Sequence, residues 1–174
     1  MLLLLSNFAI AQQKFKVEDS IVTKKMRVFI SESDSIDKIE EIIVDAFYDQ
    51  HLELGLAYSK IYLERGEKEE NDTIRLFSNS QIALNSYYLA QYEEALKSAY
   101  VATKLSEKLK DTANIISNNV TLGSSWYVLG DHDNALKAYL TGKELASLTS
   151  NVSNEITCLN NIANIHAKLD QYDS

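Results

Sequence analysis

The sequence contains no proline and only five glycines among its 174 residues. A β-rich fold needs turn residues at intervals of roughly 8–12 positions, so this scarcity argues against a sandwich or a barrel. Long runs rich in alanine, leucine, glutamate and lysine remain, and these residues favour helices. The sequence therefore predicts an all-α protein, long enough for one domain with a sizeable core.

Basic residues and cysteines are also scarce. The chain has 17 Lys and Arg against 25 Asp and Glu, a formal net charge of −8. A nucleic-acid-binding surface needs a basic face, so nucleic acid is not expected as a partner of this segment. The only cysteine, Cys158, has no second thiol for a disulfide and no histidine at a spacing typical of a zinc site.

Motifs for catalysis and cofactor binding are absent from the sequence. It has no glycine-rich phosphate loop, no serine nucleophile elbow and no His-Glu-x-x-His motif. Pairs of carboxylates such as Glu40-Glu41 and Glu93-Glu94 fall on polar helix faces, where solvent exposure is expected. We therefore predict no catalytic residue, no cofactor and no metal site, and interpret the chain as a protein that is not an enzyme.

No apolar run approaches the ~18 residues needed to span a membrane. The run from Leu2 to Ala11 is broken by Ser6 and Asn7 and ends in a small-x-small triplet before Gln12. This pattern predicts that residues 1–11 are a signal peptide cleaved after Ala11, although no Lys or Arg precedes the run. The protein is then exported to the periplasm or another extracytoplasmic site. The alternative is a buried or disordered tail on a cytoplasmic protein.

What the sequence does contain, from residue 72 onward, is an internal repeat with a period of 40. Similar residues recur in register without gaps, as in Ile82/Leu122/Ile162, Ala83/Gly123/Ala163, Leu89/Leu129/Leu169, Ala95/Ala135 and Ala102/Gly142. The apolar spacing predicts helices over 73–89, 92–109, 112–129, 132–148 and 152–169. The copies are residues 72–110, residues 111–150 and an incomplete copy, 151–174, in which a second helix begins near Tyr172.

Residues 35–71 carry a weaker version of the same pattern. Asp34 and Ser35 suit a helix N-cap, and apolar residues at helical spacing follow from Ile36 to Phe47. A second helix is predicted from Leu52 to Leu63, ending near Gly66. We interpret this segment as a degenerate capping repeat.

The preceding segment, residues 12–34, is charged and mixed in character. Its apolar residues are compatible with a helix from Asp19 to Ile30, and the alternating residues from Met26 to Ile30 are equally compatible with a strand.

Small residues in the repeats predict where two helices of a hairpin cross closely, since a large side chain would overpack such a crossing. Leu122, Trp126 and Leu129 form one helical stripe, and Gly130 and Asp131 suit a left-handed helix end and the next N-cap. The residues predicted to pack between helices are Ile82, Ala83, Leu89, Ala95, Leu122, Gly123, Trp126, Leu129, Ala135, Tyr139, Gly142, Ile162, Ala163 and Leu169. His132 and His166 stand at packing positions of this register, and His51 lies near a helix start.

The stretch from Asn119 to Gly142 reads Asn-x-x-Leu-Gly-x-x-Trp, then Leu-Gly-Asp-His, then Ala-x-x-x-Tyr-x-x-Gly. It resembles the signature of tetratricopeptide repeats. Residues 73–174 are similar to this family with a period of 40 instead of 34, and the usual proline at the end of each repeat is absent. The resemblance implies antiparallel helical hairpins stacked as a right-handed α-solenoid. It also implies that the first helix of each hairpin lines a concave face that binds a protein or peptide.

The resemblance directs attention to side chains that alternate with the core stripe on these first helices. They are Ser80, Leu84, Tyr87, Tyr88, Val120, Ser124, Tyr127, Asn160, Asn164 and Lys168, with Asn161 at the border. Asparagine amides can bond the backbone of an extended peptide, and tyrosine offers an apolar surface with a polar tip. Alternatively, the asparagines bond neighbouring helices or water. A groove that clamps a C-terminal carboxylate needs several cations, and only Lys168 is available.

The resemblance also implies a broader role. Bacterial proteins with a cleavable leader and repeats of this period often continue into a membrane helix and a histidine kinase or DNA-binding regulator. We therefore expect a protein–protein interaction module that binds a peptide or protein segment and serves as a sensor in such a protein. The alternative is a structural scaffold of an envelope or secretion assembly.

Overall fold

The structure is a computed structural model that describes residues 23–33 and 35–172, with side chains described to residue 169. Within these ranges the chain forms eight helices and no strand, so the predicted all-α class is confirmed. In chain order they are α1 (residues 23–32), α2 (Ile36–Tyr48), α3 (Leu52–Lys68), α4 (Asp72–Tyr88), α5 (Tyr92–Leu109), α6 (Thr112–Leu129), α7 (His132–Leu148) and α8 (Val152–Tyr172). The predicted signal peptide, residues 1–11, lies outside the described residues.

From α2 onward, each helix packs against the helices before and after it in the chain. Helices α4 to α7 have 17 or 18 residues each, and short turns join them. One helix with its turn therefore makes up half of the sequence repeat, and a hairpin of two helices makes up the whole of it. The predicted fold of stacked helical hairpins, an α-solenoid, is confirmed.

The turns between these helices are all of one kind. Each contains one residue in a left-handed conformation, and these residues recur once per half-repeat, at Gln50, Glu70, Ala90, Lys110, Gly130 and Ser150. In each turn the next N–H donates to the carbonyl five positions earlier, as from Asp131 to Trp126 at 3.0 Å, which is the Schellman arrangement. Turns within hairpins and between hairpins are therefore alike, and the chain ends its helices without proline.

The observed helix bounds match the predicted ones for α5, α6 and α7. Helix α3 was predicted to end near Gly66 but continues to Lys68. The glycine is a contact residue: a Cβ there would lie 2.8 Å from Cγ2 of Ile74 on α4. Helix α8 continues to Tyr172, so the predicted turn before a second helix is wrong. A left-handed turn costs about 1–2 kcal/mol at a non-glycine residue, and within the described residues no helix follows α8 to offset this cost by packing.

The N-terminal core explains why residues 26–30 are helical and not a strand. Ile30 of α1 is fully buried in one cluster with residues of α2, α3 and α4, namely Ile39, Ile43, Tyr58, Ile61, Tyr62 and Ile74. The Arg65 guanidinium donates hydrogen bonds of 2.9 and 2.7 Å to the carbonyls of Ile30 and Ser33. These bonds satisfy acceptors that the end of α1 would otherwise leave open.

Burial differs among the residues predicted to pack between helices. The buried ones are Ile82, Ala83, Ala95, Gly123, Ala135, Tyr139 and Gly142, and the half-buried ones are Leu89, Leu122, Trp126 and Ile162. Three are exposed, against the prediction: Leu129 (43 %), Leu169 (38 %) and Ala163. Leu129 is the last residue of α6, beside the turn. Ala163 and Leu169 lie on α8, where no second helix of a hairpin covers them among the described residues.

The close crossing of α6 and α7 occurs at Gly123. A Cβ at this position would lie 2.7 Å from Cδ1 and Cε1 of the Tyr139 ring, well inside the ordinary separation of about 3.5–4.0 Å. The ring of Tyr139 is itself almost fully buried. Glycine at residue 123 therefore lets the tyrosine ring lie directly on the backbone of α6.

Candidate functional site

The predicted groove residues lie on α4, α6 and α8. Besides packing on their sequence neighbours, α2, α4, α6 and α8 contact one another in succession, whereas no comparable contacts join α3, α5 and α7 within the described residues. Helices on the inner side of a curved stack approach each other more closely than those outside. We therefore call α2, α4, α6 and α8 the inner layer, and α3, α5 and α7 the outer layer.

Aromatic side chains occupy the last turn of three inner-layer helices. The Phe47 ring packs edge-on against Tyr88, with centroids 5.3 Å apart, and Tyr88 packs against Tyr87 at 5.4 Å. Phe47, Tyr87 and Tyr127 stand one repeat apart in the sequence, at matching positions on α2, α4 and α6. We call Phe47, Tyr48, Tyr87, Tyr88 and Tyr127 the aromatic row. Its members are half-buried or exposed, with Tyr88 59 % exposed.

Ser124 links this row to the core. The Tyr139 hydroxyl, from α7, passes Gly123 and donates a hydrogen bond of 2.9 Å to the Ser124 Oγ. Tyr87, from α4, lies beside Ser124, and burial raises the pKa of the Tyr87 hydroxyl. Burial likewise raises the pKa of Tyr139 to about 12. Both tyrosines are therefore neutral near pH 7, and the hydrogen bond from Tyr139 fixes the Ser124 hydroxyl.

Lys168 and Tyr127 join α8 to α6. The Lys168 ammonium lies 5.2 Å from the centroid of the Tyr127 ring, a distance at which a cation is attracted to the ring face. The His132 ring lies 5.4 Å from the same ring, and the His132 Nδ1 is buried without a hydrogen-bond partner in the described structure. The single cation of the predicted groove is thus held over an aromatic ring.

The polar part of the inner layer lies on α8. Asn160 and Asn164 are exposed, and neither amide has a hydrogen-bond partner among the described side chains and backbone groups. The remaining predicted groove residues are half-buried, namely Ser80, Leu84, Val120 and the bordering Asn161. The Ser80 Oγ is buried and lacks a partner within the described part of the chain. The predicted set therefore falls on one layer, aromatic toward α2 and amide-rich on α8.

Phe47 and Tyr48 were not among the predicted groove residues, because groove positions were assigned only in the repeats from residue 72 onward. The register would have identified both, since they stand one full repeat before Tyr87 and Tyr88. Their helix, α2, extends the inner layer by one copy into the capping repeat.

The histidines and the cysteine do not gather into a reactive group. His51 is the N-cap residue of α3 and His166 is exposed, although its register had predicted a packing position. This difference follows from the uncovered face of α8. Cys158 is buried, and burial raises the pKa of its thiol. Across residues 23–33 and 35–169, no three His, Cys, Asp or Glu side chains lie together as metal ligands would.

Comparison of the chain with models of protein families, with curated proteins and with solved structures gave no significant match. Among the helices described, none is both long enough and apolar enough to cross a membrane. Architecture and inner-layer chemistry are thus established from the chain itself: it is an α-solenoid of repeated helical hairpins.

Proposed function

We propose that the inner layer binds an extended peptide or protein segment. The observation that carries this proposal is the joining, on one face, of the aromatic row with the amides of Asn160 and Asn164. The tyrosine rings are partly exposed, and the two amides are exposed and unpartnered in the described residues. A polar group costs free energy when it is buried without a hydrogen bond, whereas an exposed one is satisfied by water. A segment that buries these amides must therefore form hydrogen bonds with them.

Each part of this face suits a different part of a peptide. An asparagine amide offers a donor and an acceptor together, which matches the two polar groups of a peptide unit. Tyrosine rings supply rigid contact area at a low cost in conformational entropy. The lone cation, Lys168, is held over Tyr127. The proposed ligand is therefore an internal, largely uncharged segment and not a terminal carboxylate clamped by several cations.

We also infer that the chain is a tetratricopeptide-like protein with a repeat period of 40 and a right-handed superhelix. The repeated signature and the stacked hairpins support this inference. The leader-like sequence at residues 1–11 supports export, and the resemblance supports a sensor role within a larger signalling protein such as a histidine kinase or a DNA-binding regulator. The sequence encoded beside this segment tests the sensor role, which requires a membrane helix and an output domain.

A displayed peptide library tests the binding face. Peptides are selected on the parent protein, and their affinities are then measured for Tyr127→Ala/Asn164→Ala and for Leu148→Ala, a control at an exposed position of the outer layer outside both grooves. We expect the double variant to bind the selected peptides with an affinity lower by roughly tenfold or more. The control should bind them with the affinity of the parent protein. Circular dichroism checks the fold. Equal affinity for all three proteins, or loss of helix in the double variant, would contradict the assignment of this face.

A further inference from the structure

The outer layer carries two grooves that stand one repeat apart. Each lies between two successive outer helices, with the intervening inner helix as its floor. The first groove, between α3 and α5 over α4, has a volume of about 390 Å³, and the second, between α5 and α7 over α6, about 480 Å³. Ile82 lies in the first where Leu122 lies in the second, as the repeat register requires.

An ion pair bridges the first groove. The Lys60 ammonium of α3 and the Glu94 carboxylate of α5 form an ion pair of 2.7 Å between the two outer helices. Arg75 and Glu67 add further charged side chains to the lining. This ion pair joins the two outer helices across the rim of the groove.

The second groove lacks both partners of that ion pair. Tyr100 stands at the position of Lys60, and Asn134 at the position of Glu94. The lining is mainly apolar, with Leu96, Val101, Leu122 and Trp126 beside Tyr100, which is 60 % exposed. A mostly apolar recess of several hundred Å³ with a few polar groups at its edge is typical of a binding pocket. The second groove therefore has no ion pair across its rim, because two of its residues differ from their counterparts in the first groove.

Lysines lie at or near this opening, although the whole chain carries a net charge of −8. Lys97 lines the groove from α5 and forms no ion pair with any described residue. The Lys104 ammonium lies 5.7 Å from the centre of the Tyr100 ring, and Lys137 is exposed one helical turn beyond Asn134. Glu107, on the same helix as Lys104, is held by it at 2.8 Å. Lys97 is thus the lining lysine that has no ion pair among the described residues, and it can pair with a negatively charged group of a ligand.

We propose that the second outer groove is a binding site for an acidic protein segment. One bulky apolar side chain of that segment, aromatic or leucine, inserts between Tyr100 and Trp126. A neighbouring carboxylate pairs with Lys97 at the rim, where a charge-assisted hydrogen bond gives the contact its direction. The site is separate from the inner layer and does not depend on the function proposed for that face.

Trp126 makes this site directly observable, because it is the only tryptophan in the chain. Two synthetic probes, acetyl-Asp-Asp-Phe-Asp-Asp-amide and its counterpart with lysine at each aspartate, are titrated into the full chain while tryptophan emission is recorded. We expect a saturable change in emission with the acidic probe and none with the basic one. Equal responses to both probes would overturn the proposal.

Variants copied from the first groove separate this site from a general effect. Tyr100→Lys/Asn134→Glu rebuilds the ion pair and should abolish the response. Lys97→Glu, at an exposed position, should lower the affinity for the acidic probe roughly tenfold or more and raise the affinity for the basic probe. Leu148→Ala, at an exposed position outside both proposed binding faces, is the control and should leave the affinity for the acidic probe unchanged. If the rebuilt ion pair fails to fold, Lys97→Glu alone decides, and an unchanged affinity there overturns the proposal.

Discussion

Adding one methyl group at Gly123 tests the close crossing of α6 and α7. In the neighbouring repeat the equivalent position is Ala83, and the position equivalent to Tyr139 is Ala99, and both alanines are fully buried. Glycine thus accompanies the tyrosine, and alanine accompanies alanine. If the tyrosine ring requires the glycine, then Gly123→Ala should destabilise the parent protein but not a protein that carries alanine at residue 139.

Two opposing contributions set the magnitude. The new Cβ would lie 2.7 Å from two carbons of the Tyr139 ring, and the ring is anchored by its 2.9 Å hydrogen bond to Ser124. Overpacking of this kind costs about 1–3 kcal/mol. Alanine within a helix gains about 1 kcal/mol over glycine. We therefore expect Gly123→Ala to lower the free energy of unfolding by roughly 1 kcal/mol, and Gly123→Leu to lower it by several, since larger atoms deepen the overlap.

The sign should reverse in the Tyr139→Ala background. That substitution alone costs on the order of 3–5 kcal/mol through the cavity it leaves. Adding Gly123→Ala to it recreates the Ala83–Ala99 arrangement and should stabilise by about 1 kcal/mol. Urea denaturation, followed by circular dichroism and by Trp126 fluorescence, measures the free energy of unfolding of the parent, the three single variants and the double variant. The reasoning fails if Gly123→Ala raises stability equally in both backgrounds, because the ring would then offer no resistance.

The other predictions concern the turns, pH and export. Ala90→Gly should stabilise the protein and Gly130→Ala should destabilise it, by about 1 kcal/mol each, because both residues have a left-handed backbone conformation. A Cβ at Gly130 would touch nothing within 4 Å. Thermal melts of Gly130→Ala therefore measure the cost of the backbone conformation without a packing contribution. Burial raises the pKa of Tyr139 to about 12 in the folded state, above the usual ~10. Stability from this group is therefore complete below pH ~10 and declines as pH rises toward 12, and Tyr139→Phe should flatten that decline in denaturant titrations. Mass spectrometry of the protein expressed with its leader in bacteria should find Gln12 at the N-terminus, and an intact Met1 would contradict cleavage after Ala11.

The helices could be predicted because apolar residues recur along the chain at helical spacing. The bounds of α5, α6 and α7 agree with those predicted, since caps and apolar stripes mark both ends. The turns could be predicted only in part. Gly130 reveals one left-handed residue, but the other five are not glycine, so local composition does not mark them. Gly66 led to the wrong prediction of a helix end, because this glycine permits a close helix contact and does not end a helix.

The candidate site could be located by layer but not in its contacts. Helical spacing placed Tyr87, Tyr127 and Asn164 on helices that the structure assigns to the inner layer. It could not show that Tyr139 reaches across to Ser124 or that Lys168 lies over Tyr127. Both contacts join side chains from different helices, and their geometry depends on how closely those helices approach.

Differences between repeats are the more informative guide to function in a chain of this kind. Identical positions build the stack, because each hairpin must offer its neighbour the same surface. A residue that differs between repeats is not needed for this stacking surface. The change from Ala99 to Tyr139 carries a hydroxyl through the crossing at Gly123 to the inner layer. The change from Lys60 to Tyr100 removes one half of an ion pair and opens an apolar groove on the outer layer. Each change is matched by a second one at a contacting position, and for that reason the paired departures are the positions at which binding should first be tested.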